Sequence, residues 1–510
     1  MHRLIWVFIF IFFAHDFFGA KTIITGKAQG QSGFQIAAFS PADYISGKRD
    51  LLALVTIGDK DDFRLEFELG ETRLVQLVVL HMEAVLYAEP GKEYKVIYQP
   101  VPRDEAKRFD KTEVSLVFEG LPDGDINFLM SRFDSEYTAF INEHFYDFAI
   151  DEFKGNPEFS GKMKGKSKVD LYEGVGKSDS LKQATVSNFS EVVVAFFDKI
   201  NKEYATEYQN EFFHDYVRYS LSEIELVSGL SRKRYYKDYF MSQKVLHSNP
   251  AYMRVFKMFY RNLFDEQSEE KKSGIIKNIN TLHDAIKLID LFEGDSTMLS
   301  RDIRALAVIQ ALKDNFYNKT YSRRGITKTL ASFTANYPDK EIQKIGLGVS
   351  QVLEKNREGW IQEDFVLLDG ANDKWNLRET EGLPTYVIFF ATWSSSSVKE
   401  MLVLEKLNET YGKDIHIVGI CMDENAELFK KYQREHPKQN FTMLYGYGDI
   451  LLKEKFSLKS LPHAVLLDSE QKVITDYTAL PSQGIQATFA KIQEQAKAGG
   501  QGPGTWKGKE

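Results

Sequence analysis

In "DFRLEFEL" (Asp62 to Leu69) apolar and polar residues alternate strictly, and that period of two predicts a strand with one buried face. Comparable short runs occur throughout residues 21–120, among them "TIITGKAQG", "GFQIAAFS", "LLALVTIG", "TRLVQLVVL", "EAVLYAEPG" and "EYKVIYQ". Turns rich in Gly, Asp, Pro and Lys separate them at roughly the 8–12-residue spacing of a β-sandwich. This stretch therefore reads as a β-rich, sandwich-like domain with a packing or adhesive role, since nothing in it groups histidines or carboxylates catalytically.

From residue 121 to about 358 the period changes to three and four. In "EFFHDYVRYSLSEIELVSGL" the residues Phe213, Val217, Leu221 and Ile224 would share one buried helical face. "NPAYMRVFKMFYRNLF" and "STMLSRDIRALAVIQALKDNFY" behave alike, with Asn249-Pro250 and Ser296 or Ser300 as expected helix starts. The expectation is an antiparallel helical array with no repeat of fixed period. Residues 154–182 are rich in Gly, Lys and Ser and read as a mobile insertion, and "AGGQGPGTWKGKE" closes the chain as a disordered tail from residue 496.

From residue 359 to 495 strands and helices alternate. "DFVLLDG" and "KWNLRE" precede the strand "PTYVIFFAT", then the turn "WSSSS", the helix "VKEMLVLEKLNETYG", the strand "IHIVGICMD", the helix "ENAELFKKYQREH" and the hairpin "LPHAVLLDSEQKVITDYT". That order predicts a small α/β domain, with the serine turn at the carboxyl end of a central strand.

Composition limits the partners. A formal net charge of -8 argues against a nucleic-acid backbone. Aromatics make up 13% of the chain, 38 Phe and 25 Tyr, enough for wide cores. The first twenty residues, "MHRLIWVFIFIFFAHDFFGA", carry a basic start, an apolar stretch and small residues at Gly19-Ala20, which reads as a secretory signal. Left uncleaved, it would be the chain's one means of membrane association. The chain holds one cysteine, Cys421, so it forms no internal disulfide. Neither H-E-x-x-H nor a Cys-His cluster occurs, so no metal or other cofactor is expected.

"YVIFFATWSSSSVKEMLVLEKL", "IVGICMDEN" and "FSLKSLPHAVLLDSEQKVI" occur in that order. Together they resemble the thioredoxin-like core of the TlpA/ResA and AhpC/TSA group, in which the strand ends in W-C-x-x-C and a later cis-proline faces the redox site. The layout as a whole is similar to multidomain bacterial envelope proteins. On this resemblance the two cysteines would fall at Ser394 and Ser397, directly after Trp393. A serine hydroxyl yields no thiolate at a helix N-terminus and no disulfide, so the resemblance implies a degenerate redox site.

The resemblance also implies a periplasmic or envelope location and a binding face made of Trp393, Ser394, Ser395, Ser396, Ser397, Leu461, Pro462 and His463. Pro462 is expected to be cis. The partners expected are exported polypeptides or an envelope protein, held by backbone pairing beside Pro462. Two enzymatic alternatives stand beside this: an oxidoreductase that works with a partner's cysteines, and a hydrolase using Ser394 or a neighbour with His463. The bland reading of the serines is helix capping, with Ser394 as N-cap.

Overall fold

The computed structural model describes residues 19–101, 112–144, 179–227, 230–241 and 244–499. Most of the expected signal, of the insertion and of the tail lies outside them, and Ala20, the last residue of the expected signal, opens the first strand. Two boundaries move: residues 179–182 open the helix Asp179–Glu203, and the last helix runs Ile485–Gly499, past the expected start of the tail.

The β-rich region forms two sheets. One is ordered β4 (Asp62–Leu69), β1 (Ala20–Ala28), β7 (Glu93–Tyr98), β9 (Leu116–Phe118). The other is ordered β3 (Arg49–Thr56), β2 (Gln35–Pro41), β5 (Arg73–Val79), β6 (Met82–Ala88), β8 (Thr112–Glu113). The alternation read in β4 is real: Phe63, Leu65, Phe67 and Leu69 are buried and the residues between them are exposed. They join Ile24, Val75, Leu77, Leu86 and Tyr98 in one core between the sheets. A Cβ at Gly26 would stand 2.1 Å from the Val96 carbonyl oxygen, so the parallel β1–β7 pairing needs glycine there.

Helices from Ile126–Glu143 to Lys340–Glu354 form the middle region around a second core. Phe213, Val217, Leu221 and Ile224 are buried on the predicted face of Glu211–Val227. Asn249 caps Pro250–Phe259 by accepting from the Ala251 and Tyr252 amides, and Ser300, rather than Ser296, caps Arg301–Asp314. That last helix is buried on every side from Ile303 to Leu312, which makes it the axis of the array.

The C-terminal sheet is ordered β11 (Lys374–Asn376), β10 (Val366–Asp369), β14 (Thr442–Tyr445), β13 (His416–Cys421), β12 (Thr385–Phe390), β15 (His463–Leu467). β12, β13 and β14 are parallel; β15 pairs antiparallel with β12 on its other side. All six residues of β12 are buried, as a central strand covered on both faces requires. Tyr386, Ile388 and Phe390 face the helices Ser395–Tyr411 and Ile485–Gly499, whereas Val387 and Phe389 face Leu452 and Phe456. The expected closing hairpin is reduced: its return arm makes only isolated bridges, Leu467 with Val473 and Ile361 with Lys472.

The three regions pack against one another. Ile45, in the β2–β3 loop, is buried in the helical core, and Lys313 Nζ donates to its carbonyl at 2.6 Å. Ala37, Phe39 and Val78 on the outer face of the second sheet bury Ile450 of the C-terminal helix Ile450–Lys455. Arg49 crosses this contact, pairing with Glu83 at 3.1 Å and with Glu454 while lying over the Phe39 ring. Arg357, after the last middle helix, holds Asp476 at 2.7 Å.

Candidate functional site

Phe390 ends β12, and the chain turns through Ala391, Thr392 and Trp393 into the helix Ser395–Tyr411. The turn is anchored from the next strand. Asp423, two residues beyond β13 and fully buried, accepts from the Thr392 amide at 2.8 Å and from its hydroxyl at 2.5 Å. A buried carboxylate is tolerable here because both oxygens are engaged.

Ser394 has extended backbone angles, φ -92° and ψ 106°, and its Oγ accepts from the Ser397 amide at 3.3 Å. It is the N-cap, as read from the sequence. Its hydroxyl also lies 2.9 Å from Ser396 Oγ. Ser395 and Ser396 are exposed, and Trp393 is 44% exposed beside them.

Ser397 differs from its three neighbours. It is fully buried, and its Oγ has no hydrogen-bond partner among the described residues. Helical geometry explains this: the residue three places after the N-cap points back under the turn onto the sheet. Ser397 therefore cannot be a surface contact for an incoming chain, and the expected binding face loses that residue.

The Leu461–Pro462 peptide is cis. Pairing of Phe389 with His463 places Pro462 alongside Phe390, just before the serine turn. The sheet thus brings Trp393, Ser394, Ser395, Ser396, Leu461, Pro462 and His463 to one end of β12. Burial pushes the His463 imidazole below its ordinary value. No hydrogen bond joins His463 to any of the four serines among the described residues, so the paired base that a hydrolytic serine requires is not assembled.

Cys421 is fully buried in β13, and burial, followed by the charge of Asp423, pushes its thiol well above the ordinary thiol range. It packs in the core and offers no thiolate. Among the described residues no cluster of three His, Cys, Asp or Glu side chains is arranged to hold a metal ion.

Sequence reasoning passed over Glu400, which lies three residues beyond Ser397 and is 7% exposed. It accepts from the Ser482 amide at 2.8 Å and from the Ser482 hydroxyl, tying the serine helix to the Pro481–Gln483 turn 82 residues later. The sole local signal was an acidic residue at a buried helical position. Its partner has none.

One cleft of about 640 Å³ lies elsewhere, between the β10–β11 turn and the carboxyl end of the helix Ala426–Glu435. It is bordered by Thr442 and Met443 at the start of β14, at the opposite end of the parallel strands from the serine turn.

A thioredoxin-like family model matches residues 382–473. The curated relatives include the thiol-disulfide oxidoreductase ResA of Bacillus thuringiensis subsp. konkukian, 26% identical over 124 residues, which are 24% of this chain and 70% of that protein. ResA of Bacillus anthracis is 25% identical over 122 residues, 24% of this chain and 69% of the other. Among solved structures, the thioredoxin domain of a thiol-disulfide oxidoreductase from Bacteroides vulgatus is 21% identical, with a TM-score of 0.24, covering 27% of this chain and 96% of that one. The relatives and the solved structure cover about a quarter of the chain, and the family model covers less.

Proposed function

We propose, from a C-terminal domain that is thioredoxin-like and homologous to ResA/TlpA thiol-disulfide oxidoreductases, that this chain binds polypeptides at the former redox face without exchanging electrons. The observation that carries the reading is the combination at one strand end. Ser394 and Ser397 stand where the W-C-x-x-C resemblance puts its cysteines, while Trp393, Ser395 and Ser396 remain exposed beside a cis Leu461–Pro462 bond.

Each part of the face has a physical role in this reading. Trp393 offers a large flat surface that loses little conformational entropy on binding. Backbone groups next to Pro462, at the edge of β15, would pair with an extended chain, and side-chain pockets would add little specificity. The buried carboxylates Asp423 and Glu400 hold the turn and its helix in place, so the surface is formed in advance. The occupants proposed are exported polypeptides or an envelope partner, in the periplasm or cell envelope. No helix among the described residues is long and apolar enough to cross a membrane.

The competing oxidoreductase reading would need both cysteines to come from a partner, and no residue of the site favours it. The binding reading is tested with the full-length chain and a fluorescently labelled, unfolded polypeptide that lacks cysteine. Anisotropy is expected to rise on titration, with Trp393→Ala weakening binding about tenfold, the loss of one aromatic anchor. No saturable binding, or equal binding by the Trp393→Ala variant, would remove the reading.

A further inference from the structure

The cleft between the β10–β11 turn and the helix Ala426–Glu435 is remote from the serine turn and takes no part in the function proposed above. Its lining combines cations, a buried amide and aromatic surface. Lys430, Arg434 and His436 border it from the helix and its C-cap, Gln439 from the following loop, and Trp375 and Phe441 from the sheet side.

Three observations point to a ligand. Gln439 is 7% exposed, yet neither end of its amide makes a hydrogen bond of ordinary geometry, which is costly for a group nine-tenths removed from water. The buried Tyr432 hydroxyl lies beside that amide, and the contact between them falls short of ordinary hydrogen-bond geometry. Arg434 makes no ion pair among the described residues, and Lys430 is held only loosely by Glu427 at 3.5 Å. Residues 427–438 carry four Lys or Arg against two Glu, in a chain whose net charge is -8.

Cations near a helix C-terminus also offset the macrodipole. That accounts for neither the cleft nor the poorly bonded amide. Lys430 and Arg434 are four residues apart on one helix, where like charges repel, and an anion between them would relieve this. The one lining carboxylate, Asp369, is already committed: its Oδ1 accepts from the Ala371 and Asp373 amides at 2.8 and 2.9 Å. His436 Nδ1 donates to the Tyr432 carbonyl at 2.9 Å, which leaves Nε2 as its free nitrogen.

We propose that this cleft is a second ligand site, for a small organic oxyanion with a flat apolar body. Arg434 and Lys430 would hold the oxyanion, Gln439 would hydrogen-bond a polar group of the ligand, and Trp375 and Phe441 would flank the flat part.

The test is saturation-transfer NMR on the full-length chain with benzoate, phenyl phosphate and the neutral benzyl alcohol as probes. The expected result is binding of one or both anions and not of the alcohol, with benzoate alone marking a carboxylate site and phenyl phosphate alone a phosphate site. The double variant Lys430→Gln/Arg434→Gln should weaken binding at least about tenfold, and Lys399→Gln/Lys406→Gln on the serine helix should leave it unchanged. The proposal is overturned if neither anion binds, if benzyl alcohol binds equally well, or if the Lys430/Arg434 pair can be replaced without effect while circular dichroism shows an intact fold.

Discussion

Ser394 and Ser397 sit three residues apart in one turn, and their hydroxyls act in opposite senses. Ser394 Oγ satisfies an amide that the helix leaves free, so Ser394→Ala should destabilise the chain by about 1 kcal/mol. Ser397 Oγ is buried without a partner, so Ser397→Ala should be neutral or stabilising by up to about 1 kcal/mol. Measured side by side, the denaturant midpoint should fall for Ser394→Ala and stay level or rise for Ser397→Ala. The same two positions are where the W-C-x-x-C resemblance puts its cysteines, and N-cap and first-turn thiols are the arrangement that favours a thiolate, so the proposed reading predicts no thiol-disulfide turnover. Wild-type protein should not reduce a small disulfide above the buffer rate. Ser394→Cys/Ser397→Cys should acquire turnover, and a wild-type rate equal to the double variant's would contradict that assignment. His463 adds a pH dependence. Its folded value is depressed by burial, so the unfolded chain takes up the proton first, near pH ~6.5. The stability it contributes is complete above that value and is lost as pH falls below it. Unfolding midpoints should decline between about pH 7.5 and 5.5, and less steeply in His463→Gln.

At the scale of elements, long runs with a clear period were readable from sequence: β4 with its strict alternation, the Glu211–Val227 face, and β12 as an apolar run before a helix. An N-terminal β-sandwich-like region, a helical middle and a C-terminal α/β domain follow from those runs, and the thioredoxin-like character of the last came from the family resemblance. β14, with four residues, and the helix Ile450–Lys455, with six, are too short for a period to show. That short helix carries a structural role out of proportion to its length, since it leads toward the loop with Pro462 and is gripped by Arg49. Replacing Arg49 with Met should cost about 2 kcal/mol, because Glu83, with 12% of its side chain exposed, would lose the guanidinium it pairs with. Glu454→Gln should cost less than about 1 kcal/mol, since Glu454 is 35% exposed. A larger loss from Glu454→Gln than from Arg49→Met would contradict this ranking.

Across the whole molecule, contacts between regions are the least visible in sequence. Arg49 and Glu454 are 405 residues apart, Lys313 and Ile45 are 268 apart, and neither pair has a local pattern. The same applies to the candidate site. Trp393 and the serines could be located from one phrase, and the partnership of that turn with Pro462 followed from the family resemblance, but the burial of Ser397 required the fold. The cleft near Gln439 draws on two separate stretches, 369–375 and 430–443, and had no signature in either. The sandwich and the helices pack against the C-terminal domain, so the face proposed to bind polypeptides is to be tested in the intact chain. The most direct test is therefore photo-crosslinking in cells with the full-length protein, using a probe at exposed Ser395 and a control probe at exposed Glu494 on the last helix. A defined polypeptide trapped from Ser395 and not from Glu494 is the predicted result. Identical products from both positions, or none from Ser395, would contradict the account of the serine turn as a binding face.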